Sequence, residues 1–215
     1  MDIGKLYRES RSRIGAFVRE SGPDVGQICV AACPGWTVAD VIAHLVGGVE
    51  DAVAGRLKGP PPPAEQTTDQ VNRHHGESLG DMISLWDRLG PGFESVLCSN
   101  HVVPAFLDVL SHECDIANAL GRSADRDEFR VKLAAQPLSK LSDPAIRIDL
   151  VDDVVTPAPS APGTWILRTT PFECFRLRLG RRSIQQVRAM SWSCDPEPIL
   201  DRLFIFGPSL EPIGE

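Results

Sequence analysis

Asp108 and His112 stand four residues apart in a stretch with helical periodicity, and His44 falls in an earlier one. A carboxylate and an imidazole at i and i+4 lie one above the other on a helix. With a second imidazole from a neighbouring helix, they have the composition of a catalytic metal site, with three protein ligands and an open position for water or substrate. At 100° per residue, Asp108, His112 and Asp115 fall within roughly 60° of one another, opposite the apolar stripe. Two readings follow. The group is the polar, solvated side of a helix, or it lines a pocket in which Asp115 orients His112 through its other ring nitrogen. His44 also lies off the main apolar stripe of its helix and carries the same ambiguity. An ion there would need neutral imidazoles and an ionised carboxylate.

The remaining chemistry-bearing residues give weaker signals. All five histidines (His44, His74, His75, His101 and His112) lie in the N-terminal part, so imidazole-based metal chemistry belongs there. His74 and His75 diverge by about 100° on a helix, which makes a shared ion difficult; they read as surface residues, with one of them facing the pocket as the alternative. Arg73, beside Asn72, offers a guanidinium fork that would suit a substrate carboxylate and make it a catalytic candidate; an exposed arginine is the plainer reading. Asp152-Asp153 is a loop carboxylate pair without partner spacing. Gly180-Arg181-Arg182 reads as a helix stop flanked by positive charge. Cys114 is two residues from His112, points elsewhere on the helix, and is left out of the site.

The elements that must carry these residues are readable from breakers and periodicity. Leu6, Ile14, Phe17 and Val18 between charges predict an amphipathic helix over 4–20, ended by Ser21-Gly22-Pro23. After a loop through Cys33-Pro34-Gly35-Trp36, Thr37 caps a second helix, with Asp40 completing a short variant of the capping box. Val38, Val41, Ile42, Leu45, Val46 and Val49 form its stripe. Lys58-Gly59 and the prolines from Pro60 to Pro63 end that segment. A third helix is expected over about 67–89, broken by Gly90-Pro91-Gly92. A fourth runs from Pro104 to Leu120 with Gly121 as its C-cap. Four amphipathic helices joined by breakers predict an antiparallel bundle. Beyond about residue 122 the pattern changes. Ile146-Arg147-Ile148-Asp149-Leu150 alternates as a half-buried strand does, and Trp165-Ile166-Leu167 reads as its hairpin partner. Two shorter helices are expected near 171–180 and 196–204. The fold class is therefore α+β, with a helical bundle over 1–125 and a smaller α+β domain over 135–215.

Composition bounds the function. The chain has 215 residues, 42% hydrophobic and 24% charged, as an ordinary globular protein has. A net charge of -7 without a Lys/Arg cluster argues against nucleic acid as a partner and suits an anionic membrane poorly. No run approaches the length of a membrane span, and the charged start lacks the apolar stretch of a signal peptide. The expected compartment is the cytoplasm. Cys29, Cys33, Cys98, Cys114, Cys174 and Cys194 lack paired CxxC spacing and are expected as thiols in a reducing cytosol. Cys29 and Cys33 are the only near pair, and a disulfide there is the lesser alternative.

Cys33-Pro34-Gly35-Trp36-Thr37-Val38, followed by Asp40-Val41-Ile42-Ala43-His44-Leu45, resembles the PGWTVxDVxxHL signature of the maleylpyruvate isomerase-like, mycothiol-dependent enzymes. Asp108 to Ile116, ending in Ala119-Leu120-Gly121, is similar to that family's ExxxHxxDI…ALG motif. Glu173-Cys174-Phe175-Arg176-Leu177 and Gly180-Arg181-Arg182-Ser183 resemble its ELLRxxxGR segment. The resemblance spans nearly the whole chain. It implies a DinB-like metal-binding bundle with His44, Asp108 and His112 as metal ligands, and aspartate here stands where the family usually has glutamate. It further implies a divalent ion, zinc by expectation, and mycothiol as thiol cofactor. A metal-held thiolate would add to an electrophilic carbon. For a maleylpyruvate-like substrate, rotation about the former double bond and elimination would return the isomer; for another electrophile the outcome would be S-transfer. The implied partners are a small electrophile and a low-molecular-weight thiol, for a monomer or a homodimer. Two other classes share these residues: a non-catalytic binding or regulatory module, and a metal-dependent hydrolase that activates water.

Overall fold

Asp2 opens the first helix, its carboxylate accepting the Lys5 amide at 2.8 Å. The helix, α1 (Ile3–Ser21), buries Ile3, Leu6, Tyr7, Ile14 and Val18 along one side. The structure, a computed structural model, describes residues 2–100, 103–123, 126 and 128–215, with Pro23 described through its backbone alone. His101 lies outside the described residues. The chain divides into two compact units, residues 1–124 and 125–215.

In the first unit, α2 (Val38–Val53) starts where the sequence places it. Thr37 Oγ1 accepts the Asp40 amide and Asp40 Oδ2 accepts the Thr37 amide, a reciprocal capping box. The short α3 (Ala64–Arg73) packs along α2. The helix expected over 67–89 is two elements. Gly76, at φ 86°, turns the chain, and Ser78 accepts the Asp81 amide at 3.1 Å to begin α4 (Leu79–Asn100).

The expected break at Gly90-Pro91-Gly92 does not occur, because α4 continues through Pro91 to Asn100. Its apolar side explains this. Met82, Trp86, Phe93 and Leu97 are buried against the rest of the unit. Tyr7 meets Trp86 and Phe93 edge-on, with centroids 6.3 and 5.2 Å away. Buried Glu94 accepts from Arg8 at 2.6 Å and from Arg11 at 3.0 Å. The contacts of Phe93, Glu94 and Leu97 lie beyond the proline, and tertiary packing outweighs the roughly 3 kcal/mol that proline costs a helix.

The last helix of the unit, α5 (Val103–Ala119), packs on α1 and touches α2. Its residues from Val109 to Ala117 are all buried, so it has no solvated side in that stretch.

The second unit begins with α6 (Phe129–Leu138), which packs on α7 (Pro171–Arg178). The strands β1 (Ile146–Leu150) and β2 (Trp165–Thr169) pair in parallel, Ile148 opposite Leu167. The expected hairpin is thus corrected. Residues 151–164 form a crossover long enough to return the chain to the starting end, which a parallel pair requires. An unforeseen short strand, β3 (Ser191–Trp192), joins β2 antiparallel. Thr170 caps α7, and Ser183 with Gln186 forms a capping box on α8 (Ile184–Arg188). The segment expected as a helix near 196–204 is a 3-10 helix over Glu197–Arg202. Among the described residues the fold is helical with one small three-stranded sheet, α+β as expected.

Candidate metal centre

The rear face of α2 carries the first half of the centre. His44, Gly47 and Asp51 recur at helical spacing toward α3, and a Cβ on Gly47 would lie 2.7 Å from the Gln70 Cβ. Only glycine allows that approach. It brings Gln70, fully buried, within reach of both neighbours: Gln70 Oε1 lies 3.0 Å from His44 Nδ1, and Gln70 Nε2 donates to Asp51 Oδ2 at 3.0 Å. Asp51 also accepts from Gln66, Arg56 and Arg73. Burial alone would raise the Asp51 pKa, but the bonds from Gln70, Arg73, Arg56 and Gln66 outweigh it and hold the carboxyl below its ordinary value.

This network fixes the His44 tautomer. An ionised carboxylate only accepts, so the Gln70 amide nitrogen must face Asp51 and its oxygen must face His44. His44 Nδ1 then carries the hydrogen, and the Nε2 lone pair points the other way. His112 on α5 is set up in the same manner. Its Nδ1 lies 3.1 Å from Asp115 Oδ2, and Asp115 is almost wholly buried. Both Nε2 atoms converge on Asp108, at 3.6 Å from Oδ2 for His44 and 3.6 Å from Oδ1 for His112. The rings meet nearly edge-on with centroids 5.4 Å apart.

The structure therefore brings His44, Asp108 and His112 together, with one ligand atom from each within 4.8 Å of the others. Both histidines are more than nine-tenths buried, whereas the Asp108 side chain is half exposed. Buried imidazoles with their rear nitrogens held by acceptors, beside an accessible carboxylate, suit a divalent ion with an open position. Their burial is incompatible with the solvated-face reading of His44 and His112. The Trp36 ring lies 5.5 Å from the His44 ring and walls one side.

Arg73 sits elsewhere in the network. Its guanidinium donates to Glu50 and to Asp51 at 2.8 Å each, and the Glu50 bond leads in raising its pKa above the ordinary value. His74, expected at the surface, is buried with Nε2 3.0 Å from Glu50 and Nδ1 3.0 Å from Glu77, so it serves the α2–α3 packing. His75 is exposed. Sequence reasoning did not single out Gln70, Asp51 or Cys33 for the centre. Gln70 carries no pattern signal, because its role comes from a close approach at Gly47. Cys33 was readable only as part of a turn. It lies 3.9 Å from His112 Nδ1 and 3.7 Å from Asp115 Oδ2.

The fold and these side chains define a helical domain organised around paired buried imidazoles, accompanied by a small α+β unit. Residues 7–101 match the family model described as the mycothiol maleylpyruvate isomerase N-terminal domain. The match includes His44 and ends before Asp108 and His112. Among solved structures, the fold resembles the mycothiol-dependent maleylpyruvate isomerase, with a TM-score of 0.57 at 14% identity. The match covers 83% of this chain and 88% of that one. A histidine-to-alanine mutant of that isomerase matches over the same shares, with a TM-score of 0.57 at 13% identity. At such identity the likeness is one of fold. No curated protein matches the sequence.

Proposed function

We propose that this protein is a metal-dependent enzyme that uses a low-molecular-weight thiol, mycothiol, to isomerise a small electrophile of the maleylpyruvate kind or to transfer the thiol to one. The observation that carries the reading is the convergence of two Nε2 atoms on Asp108, each histidine contacted from behind by Gln70 or Asp115. The match of residues 7–101 to the mycothiol maleylpyruvate isomerase N-terminal domain supports the choice of mycothiol as the thiol.

His44, Asp108 and His112 would hold the ion, and zinc suits two imidazoles with one carboxylate. When bound, it lowers the pKa of a thiol at its open position, so that the sulfur is nucleophilic at neutral pH. The chain's own residues do the rest. Gln70 and Asp115 hold the two imidazoles from behind and aim their Nε2 atoms toward Asp108. Asp108 supplies one negative charge from the accessible side of the centre, where a substrate can approach. Trp36 closes one flank with apolar surface. Arg73 acts as a positioning residue, tying α3 to α2 through Glu50 and Asp51.

Elemental analysis of protein purified without chelators or a histidine tag tests the reading. About one equivalent of zinc in the parent, falling to background in His112→Ala with native far-ultraviolet circular dichroism, is the expected result. No bound metal in the parent after incubation with zinc would overturn it and favour a non-catalytic module. Because Asp108 leaves the open side accessible, water activation is the competing chemistry. Turnover of an electrophilic ester without added thiol would identify a hydrolase.

A further inference from the structure

His112 presents a second ligand arrangement through its other nitrogen. Cys33 Sγ, His112 Nδ1 and Asp115 Oδ2 are mutually close, with separations of 3.9 Å (S to N), 3.7 Å (S to O) and 3.1 Å (N to O). A tetrahedral zinc ion with ordinary bond lengths has ligand–ligand edges of about 3.4–3.6 Å. The three atoms thus already stand within a few tenths of an ångström of one face of such a tetrahedron.

The position of the thiol is built rather than incidental. The Cys33 amide donates to Val30 O and the Trp36 amide donates to Cys33 O, both at 2.9 Å. Pro34 and Gly35, the latter at φ 83°, occupy the middle of the second turn, the placement of a type II turn. An antiparallel bridge between Cys29 and Thr37 closes the base of the loop against the start of α2. Cys33 is half-buried beside two buried partners. As a thiol, Cys33 donates to Asp115 Oδ2; as a thiolate, its sulfur completes the three-atom ligand group.

We propose that Cys33, His112 Nδ1 and Asp115 form an alternate seat for a thiophilic divalent cation, exclusive of the seat formed by His44, Asp108 and His112 Nε2. The exclusion follows from the tautomer. A neutral imidazole has one lone pair, so an ion on Nε2 requires the hydrogen on Nδ1, and an ion on Nδ1 requires it on Nε2. Filling the alternate seat moves that hydrogen across the ring, releases the Cys33 thiol proton to solvent and removes Asp115 as the support of His112. Sulfur favours soft cations over the harder ions that the oxygen–nitrogen seat accepts. Soft metals would then bind without supporting the proposed thiol chemistry.

The seat needs neither His44 nor Asp108, so it is tested in the full-length His44→Ala/Asp108→Asn variant, stripped with chelator and titrated with cobalt(II). The near-ultraviolet band of a thiolate bound to cobalt reports the bond directly. The expected result is a saturable band approaching one equivalent, lost on adding Cys33→Ala and retained when Cys114 is replaced by alanine instead. No band in the variant would overturn the proposal, as would a band that survives Cys33→Ala. Should the double variant lose its native circular dichroism, His44→Ala alone is titrated with the same criteria. Parent protein that binds one cobalt ion with two histidines and no thiolate band leaves the proposed catalytic seat standing whichever way the variant behaves.

Discussion

At the level of single side chains, the metal reading depends on which ring nitrogen of His44 and His112 carries the hydrogen. Gln70 decides this for His44, and Gln70 is in turn oriented by Asp51. Replacing Gln70 by leucine keeps the volume of the position roughly constant while removing the acceptor. His44 is then free to adopt the other tautomer or to rotate. Loss of such a supporting contact typically lowers metal affinity 10–100-fold. A fall of about tenfold or more in zinc affinity is therefore expected for Gln70→Leu, measured by competition with a chelating dye. Unchanged affinity would show that the Gln70 contact does not orient the ligand.

Elements set the distances between those side chains, and α3 is held against α2 by two different means. The first is the absence of a side chain at Gly47. Alanine would gain about 0.8–1.0 kcal/mol of helix propensity there, but its Cβ would meet Gln70 Cβ at 2.7 Å and Gln70 Cα at 3.0 Å. Overpacking costs about 1–3 kcal/mol, so the clash should win. Gly47→Ala is expected to destabilise the protein to urea and to weaken zinc binding together; a stabilised variant with normal binding would refute the close-packing argument. The second means is the ion-pair network on Asp51. Its pKa is lower folded than unfolded, so its contribution is present above the unfolded value of about 3.9 and lost as the pH falls through the lower folded one. Hydrogen exchange of α3 amides should accelerate as the pH drops through that window beyond the intrinsic pH dependence. In Asp51→Asn this extra acceleration should be absent.

For the whole molecule, the division into two units separates the centre from a second set of buried charges. All the proposed ligands and their supports lie between Cys33 and Asp115, within the first unit. The second unit has its own anchor. Fully buried Arg176 and nearly buried Arg182 both donate to the Glu215 carboxylate, at 3.1 Å and 2.8 Å. Arg182 also pairs with Glu173 at 2.7 Å. Removing one partner of a buried ion pair commonly costs 3–5 kcal/mol, because the remaining charge is left in a poor solvent. Glu215→Gln is expected to destabilise the second unit by about 3 kcal/mol in chemical denaturation while leaving zinc content unchanged. Loss of metal in that variant would show that the units are energetically linked.

The start of α2, the α+β class and the common face of Asp108 and His112 were legible because each depends on local spacing. Thr37 and Asp40 cap α2 as their three-residue separation requires, and Asp108 and His112 face one way because a helix turns every 3.6 residues. The residues alone could not say whether that polar side met water or other helices. Burial from Val109 to Ala117 answered that, since it depends on where α1 and α2 pack. Tertiary contacts also carried α4 through Pro91, where local propensity predicts a stop. Strand direction was equally beyond reach, because alternation marks a strand but not the route by which the chain returns. Sequence by itself determined how Asp108, His112 and Asp115 repeat along one helix and that His44 lies on another. Only the tertiary structure brought Gln70 against Gly47 and Cys33 against His112, because those contacts join elements that no local periodicity relates.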